Sequence, residues 1–306
     1  MRRFLRNENG FVECGEWQPH CWVNVECPDR DDIRLLLDDF GVPSDFLDSV
    51  ADIDERPRVE KVGEWKMIIL RIPVRCKEGN IPYTTVPIGI ITNNEIVVTL
   101  CYHFTELIPD FIDHTRRRGI RIDTEADFIL RIIFSSAYWF LTYLKEVEHN
   151  VANAESQLEK SVRNEDLLRL MRLQNTLVYF NTSLQGNMVL IGRVKHLYNQ
   201  CYDPDLLEDV EIELSQAQNT VKIYTEIMGG MLDSFESIIS NNVNDIMKKM
   251  TGISIVLMLP TLVASFYGMN VTIKYTSSPW VFPVIVVASL GLAVILYWLL
   301  RKFKWI

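Results

Sequence analysis

The sequence has 306 residues, 48% hydrophobic and 23% charged, with a formal net charge of −9. That length holds one large domain, or a soluble body joined to a membrane piece. The charge is uneven, with 25 Lys/Arg and 39 Asp/Glu before Asn244 and six Lys/Arg and one acid from there on. An acidic body argues against a nucleic-acid partner and suits a protein that handles cations.

The first ten residues, MRRFLRNENG, carry basic groups with no apolar run behind them, which is not the pattern of a secretory signal. Residues 1–122 read as a mixed α/β domain. Asp31–Phe40 has helical spacing and stops at Gly41, and Pro43 opens a second short helix that runs to Val50. Glu64–Val74, Tyr83–Ile91 and Glu95–Cys101 are rich in β-branched residues and predict strands, with Thr92-Asn93-Asn94 turning between the last two. The run Arg116–Arg118 before Gly119 reads as a solvated helix end rather than an anion site.

Residues 123–202 predict two paired long helices. Thr124 with Asp127 makes a capping box for the first, which runs to about Val162, and Asn164 caps the second, which runs to about Asn199. Asp203-Pro204 begins a third helix over 203–270. No proline follows until Pro260, so it continues unbroken into the membrane. Some 60 residues at 1.5 Å each make it about 90 Å long, with Gly229-Gly230 as a soft spot. One chain cannot bury so long a helix, and this points to neighbouring copies arranged as a symmetric ring.

The membrane part of this helix covers about 250–268. A loop at 271–279, a second span at 280–300 and a basic tail at 301–306 follow. Lys248 and Lys249 precede the first span, and Arg301, Lys302 and Lys304 follow the second. Both termini are therefore expected in the cytoplasm of a cell-membrane protein, outvoting Lys274 in the loop. In that reducing compartment the six cysteines are expected as free thiols. Cys14, Cys21, Cys27 and His20 lack the Cys-x2-Cys knuckle of a zinc site.

No enzyme motif appears, neither GxSxG, HExxH, GxGxxG nor a Walker loop, and no organic cofactor is expected. After Asp245 the chain has no Asp or Glu, which excludes an intramembrane carboxylate relay and an acidic filter ring. The first span carries a polar seam instead. Asn244, Met247, Thr251, Ser254, Met258, Thr261 and Ser265 follow one another at spacings of 3 and 4. Lipid offers such groups no partners, so the seam should face other helices or water.

The span ends on Tyr267-Gly268-Met269-Asn270, and this YGMN resembles the signature of the CorA family of divalent-cation channels. NDIMKKMT at 244–251 resembles the family's entry to its pore helix, and FGVPSDFLDSVADIDERPRVE at 40–60 resembles another family stretch. The resemblance implies an α+β cytoplasmic domain followed by long helices and two C-terminal transmembrane helices, assembled as a funnel-shaped homo-pentamer in the lipid bilayer. It implies Mg²⁺ influx, with Co²⁺ and Ni²⁺, down the membrane potential. Gly268, Met269 and Asn270 would form the selectivity filter, and Asn244, Met247, Thr251, Ile255 (or Ser254), Met258 and Thr261 would line or gate the pore.

The resemblance also implies a regulatory Mg²⁺ between subunits, held by Asp48 and by Asp209 of the adjacent copy, with Leu47 beside the first acid. Two departures stand out. Lys274 occupies a loop where relatives often have an acid, and the Pro260-to-GMN spacing is one residue short. Two alternatives remain open: a ZntB-like zinc transporter on the same scaffold, which the Met of GMN argues against, and a membrane-anchored helical scaffold or sensor that conducts nothing.

Overall fold

A computed structural model of the protein describes residues 1–306 apart from 77–80, 94, 161–163, 200, 270–279, 304 and 306. The chain forms two compact units, Met1–Gly229 and Gly230–Ile306.

Among the described residues of the first unit, seven strands form one sheet. They are β1 (Arg2–Asn7), β2 (Phe11–Cys14), β3 (Trp22–Glu26), β4 (Arg58–Val62), β5 (Trp65–Arg75), β6 (Tyr83–Asn93) and β7 (Ile96–Cys101), in the spatial order β2-β1-β3-β7-β6-β5-β4. Neighbours run antiparallel except β3 and β7, which pair in parallel from Trp22↔Val97 to Glu26↔Cys101. A buried polar chain ties this parallel seam. Trp22 Nε1 donates to Thr99 Oγ1 at 2.8 Å, and that hydroxyl donates to Asn24 Oδ1 at 2.8 Å.

Three of these strands, β5 to β7, lie where the β-branched runs predict them. The four others, all of 4 to 6 residues, were not expected from sequence. β5 is buried on both faces, which is why it reads as MIIL rather than as an apolar/polar alternation.

One face of the sheet, carrying Met67, Ile69, Val98 and Leu100, packs on Leu36, Phe46, Leu47 and Val50. These four come from a helical turn after α1 (Arg30–Arg34) and from α2 (Ser44–Ala51). α1 starts on a capping box between Asp29 and Asp32 and then widens into a π-helical turn, Leu35–Asp39. The helix expected over Asp31–Phe40 is thus present from Arg30 to Asp39, with its second half wound as a π-helix. The wide turn places Leu36 wholly in the core before Gly41 leaves it at φ +71°.

The other face of the sheet carries α4 (Glu125–Lys160) and α5 (Asn164–Leu197), with α3 (Leu107–Arg118) against α4 and β2. Phe11, Trp22, Phe111 and Phe128 meet there, mostly edge to face, at centroid distances of 4.7–6.1 Å. Thr124 Oγ1 accepts from the Asp127 N–H at 3.1 Å, so the expected cap starts α4. α3 ends on Gly119 at φ +61°, a left-handed cap that a side chain would strain.

A side chain takes the place of a strand beside β5. Beyond the end of β4, the fully buried Asn187 of α5 accepts from the Arg71 N–H at 3.1 Å and donates to its carbonyl at 2.8 Å. Across from Arg71 stands Pro87, which has no N–H to give to the ladder.

α6 (Pro204–Tyr267) is a single helix of 64 residues, and the division between the two units falls within it, between Gly229 and Gly230. Asp203 Oδ1 accepts from the Asp205 N–H at 3.0 Å at its start. The second unit holds the rest of α6 and α7 (Val281–Lys302). Both helices are long and apolar enough to cross a membrane.

Candidate ion pathway and cation-sensing residues

In the second unit, α6 has a covered and an uncovered side. Gly252 is buried, and Val256, Leu259, Pro260 and Val263 are partly covered. On α7 the buried residues are Ser289 and Ala293, small groups of the kind that let helices approach closely. Asn244, Met247, Thr251, Ser254, Ile255, Met258, Thr261 and Ser265 are all exposed in the single chain.

Helix geometry separates these two sets. At about 100° per residue, Met247, Thr251, Ser254, Met258, Thr261 and Ser265 fall within about 40° of one line. The covered residues centre about 165° away from it, on the opposite side of the helix. The polar seam therefore faces away from everything the second unit packs against. Ser254 lies about 20° from the Met247 line and Ile255 about 80°.

The seam hydroxyls have local partners. Ser254 Oγ donates to the Met250 carbonyl at 2.9 Å and Thr261 Oγ1 to the Leu257 carbonyl at 3.0 Å. Each retains acceptor lone pairs for a water or an ion shell. Met247 and Met258 are 60% and 63% exposed, which is unusual for thioethers and leaves them free to meet a neighbour.

Gly268 closes the helix, its N–H donating to the Ala264 carbonyl at 2.9 Å. Met269 is exposed. Asn270 lies outside the described residues, as does the 271–279 loop with Lys274.

In the first unit, Asp48 stands on α2. Phe46, Leu47 and Val50 turn into the core while Asp48 is exposed. Leu47, at 3% exposure, is a core residue and gives the outer face of α2 nothing. Burial, and after it the Asp48 charge, raises the Tyr102 phenol above its ordinary range. Asp209 stands on α6 between the buried Leu207 and Val210 and is itself exposed.

Neither carboxylate has an ion-pair partner among the described residues, and none of those residues form a group of three or more His, Cys, Asp or Glu fit to hold a metal. One chain thus offers two lone acids, which suit a weak divalent site only if a second copy supplies the remaining oxygens. Sequence reading did not single out Arg131, which interrupts the apolar run Phe128–Phe134 on α4. A lone cation inside such a run was the available signal.

The family model of CorA-like Mg²⁺ transporter proteins matches residues 17–302. The chain belongs to the CorA family. Two relatives named cobalt/magnesium transport protein CorA align with this CorA-family chain over 93% of its length. The one from Thermotoga maritima is 25% identical with 83% of its own length covered, and the one from Methanocaldococcus jannaschii is 24% identical with 91% covered.

The complete structure of the CorA magnesium transporter from M. jannaschii superposes with a TM-score of 0.82 at 21% identity, over 100% of this chain and 99% of that one. The full-length CmaX protein gives 0.68 at 14% identity, over 99% of this chain and 97% of that one. The ZntB cytoplasmic domain from Vibrio parahaemolyticus gives 0.61 at 15% identity, over 79% of this chain and 98% of that one. The CorA fold therefore runs the length of the chain, with its mixed sheet, long helices and two candidate C-terminal membrane helices. The family is one of membrane transporters, and the two curated relatives are transport proteins rather than enzymes.

Proposed function

We propose that copies of this chain form a homo-pentameric channel that passes Mg²⁺, with Co²⁺ and Ni²⁺, into the cell. The observation that carries this reading is the seam of α6, a line of neutral oxygens and thioethers turned away from the covered side of the helix. Five such seams around an axis make a tube without a single carboxylate. Mg²⁺ sheds its waters reluctantly, and amide and hydroxyl oxygens can accept hydrogen bonds from those waters without replacing them.

Gly268, Met269 and Asn270 would form the outer filter, with Asn244, Thr251, Ser254 and Thr261 lining the tube and Met247 and Met258 closing it by dewetting. The helix geometry favours Ser254 over Ile255 as the residue that faces the axis. With both termini inside and an interior-negative potential of about 100 mV, each divalent ion gains about 4.6 kcal/mol on entry, so no coupling ion is required. Asp48 and Asp209 of adjacent copies would bind cytoplasmic Mg²⁺ and hold the closed ring, and losing it would leave two acids in repulsion.

The test is uptake by vesicles reconstituted with the pure protein, comparing Mg²⁺, Co²⁺, Ni²⁺ and Zn²⁺ under an imposed potential. Mg²⁺ entry that rises with the potential supports the reading. Zn²⁺ entry alone would support the ZntB-like alternative, and the absence of any flux would leave a non-conducting scaffold.

A further inference from the structure

A groove of about 610 Å³ opens in the first unit between α3, α4 and the first turns of α6. Arg117 and Arg118 line it from α3, Arg131 and Tyr138 from α4, and Asp209 from α6. None of the three arginines has an ion-pair partner among the described residues. Arg131 is the informative one. Its Nε is buried and donates to nothing among the described residues, a costly arrangement for a guanidinium donor. Arg131 lines the groove, so a guanidinium with no acidic partner among the described residues stands at an open wall, although its buried Nε is itself out of a ligand's reach.

The walls narrow the class of ligand. Guanidinium forks match phosphate oxygens bidentately. Tyr138 is 51% exposed beside them, a planar face with no aromatic partner other than Trp139 among the described residues, and Phe134 lies one turn before it on α4. The volume falls within the range of about 300–1,000 Å³ that holds a small organic ligand. Two acids, Asp110 and Asp209, also line the groove, which suits hydroxyl groups as well as phosphate and disfavours a bare polyanion.

We propose that this groove binds a nucleoside polyphosphate, its phosphates on Arg117, Arg118 and Arg131 and its base on Tyr138. The site is separate from the ion pathway, and its measurement requires no flux. It shares Asp209 with the cation-sensing role proposed above, so nucleotide and Mg²⁺ would report to the same turn of α6.

The experiment is calorimetric titration of the full-length protein in detergent, with EDTA present so that the proposed Mg²⁺ site is silent. ATP, inorganic tripolyphosphate and adenosine serve as separate probes. ATP is expected to bind once per chain, tripolyphosphate at least tenfold more weakly, and adenosine not at all. R131Q should weaken ATP tenfold or more, as the loss of a charged hydrogen bond requires. R117Q/R118Q changes only exposed side chains, so it keeps the test valid if R131Q fails to fold. Y138L should weaken ATP and leave tripolyphosphate unchanged.

No ATP binding at millimolar concentration would overturn the proposal. So would ATP affinity unchanged in R117Q/R118Q, or tripolyphosphate binding as tightly as ATP. A protein that binds ATP as described yet passes no ion would refute the channel reading and leave this one standing.

Discussion

Gly89 on β6 sits directly beneath α2, and a methyl group there should be felt on the face of α2 that carries Asp48, the acid proposed to sense Mg²⁺. A Cβ built at Gly89 lies 2.4 Å from Val50 Cγ2, whereas ordinary contact begins at 3.4 Å, so something must yield by about 1 Å. Val50 is 1% exposed and its β-branch leaves it no flexible end to fold away. G89A should therefore cost about 1–3 kcal/mol by overpacking. V50A should cost about 1.5–3 kcal/mol through lost burial and the cavity left behind.

In G89A/V50A the added methyl enters the space that the valine vacates, and the double variant should lose less than the two singles together by at least about 1 kcal/mol. Thermal unfolding of the full-length protein in detergent, followed by tryptophan fluorescence, reads this directly, at about 2–4 °C per kcal/mol for a unit of this size. Asp48 lies two residues before Val50 on the same helix. G89A should accordingly weaken the Mg²⁺-dependent protection from proteolysis expected of the proposed Asp48 site, and adding V50A should restore it. Additive losses of Tm, or a G89A protein as stable as wild type, would refute the steric argument.

N270A should abolish Mg²⁺ uptake while the oligomer still assembles by size exclusion; normal flux would remove Asn270 from the filter. N270D should keep binding but shift ion preference and slow release, read by competition between Mg²⁺ and Co²⁺. Met247→Ser or Met247→Gly should raise conduction at high Mg²⁺ by wetting the constriction, and unchanged flux at equal expression would return this methionine to packing. Mg²⁺ is expected to protect wild type from proteolysis and D48A or D209A much less, since an ion at ten times its Kd contributes about 1.4 kcal/mol per site. Protection equal to wild type in both would place sensing elsewhere.

Several features were legible because they rest on local chemistry. The α4 cap at Thr124 and the α6 start at Asp203-Pro204 need only side chains within three residues of the backbone groups they serve. The unbroken run of α6 needed only the absence of proline between Pro204 and Pro260, and the two spans needed only length and apolarity. The GMN signature and the 40–60 stretch identified the family.

Other features depend on residues far apart in sequence. β1 to β3 are short, and β3 becomes a wholly buried strand only because β7, some 75 residues later, runs parallel beside it. Asn187 reads as an ordinary helix residue until Arg71, 116 positions away, presents both its backbone groups to it. The π-helical turn at Leu35–Asp39 is set by the packing of Leu36 rather than by propensity. The arginine groove is of the same kind, because α3, α4 and α6 bring its charges together and no one of those segments carries the pattern alone.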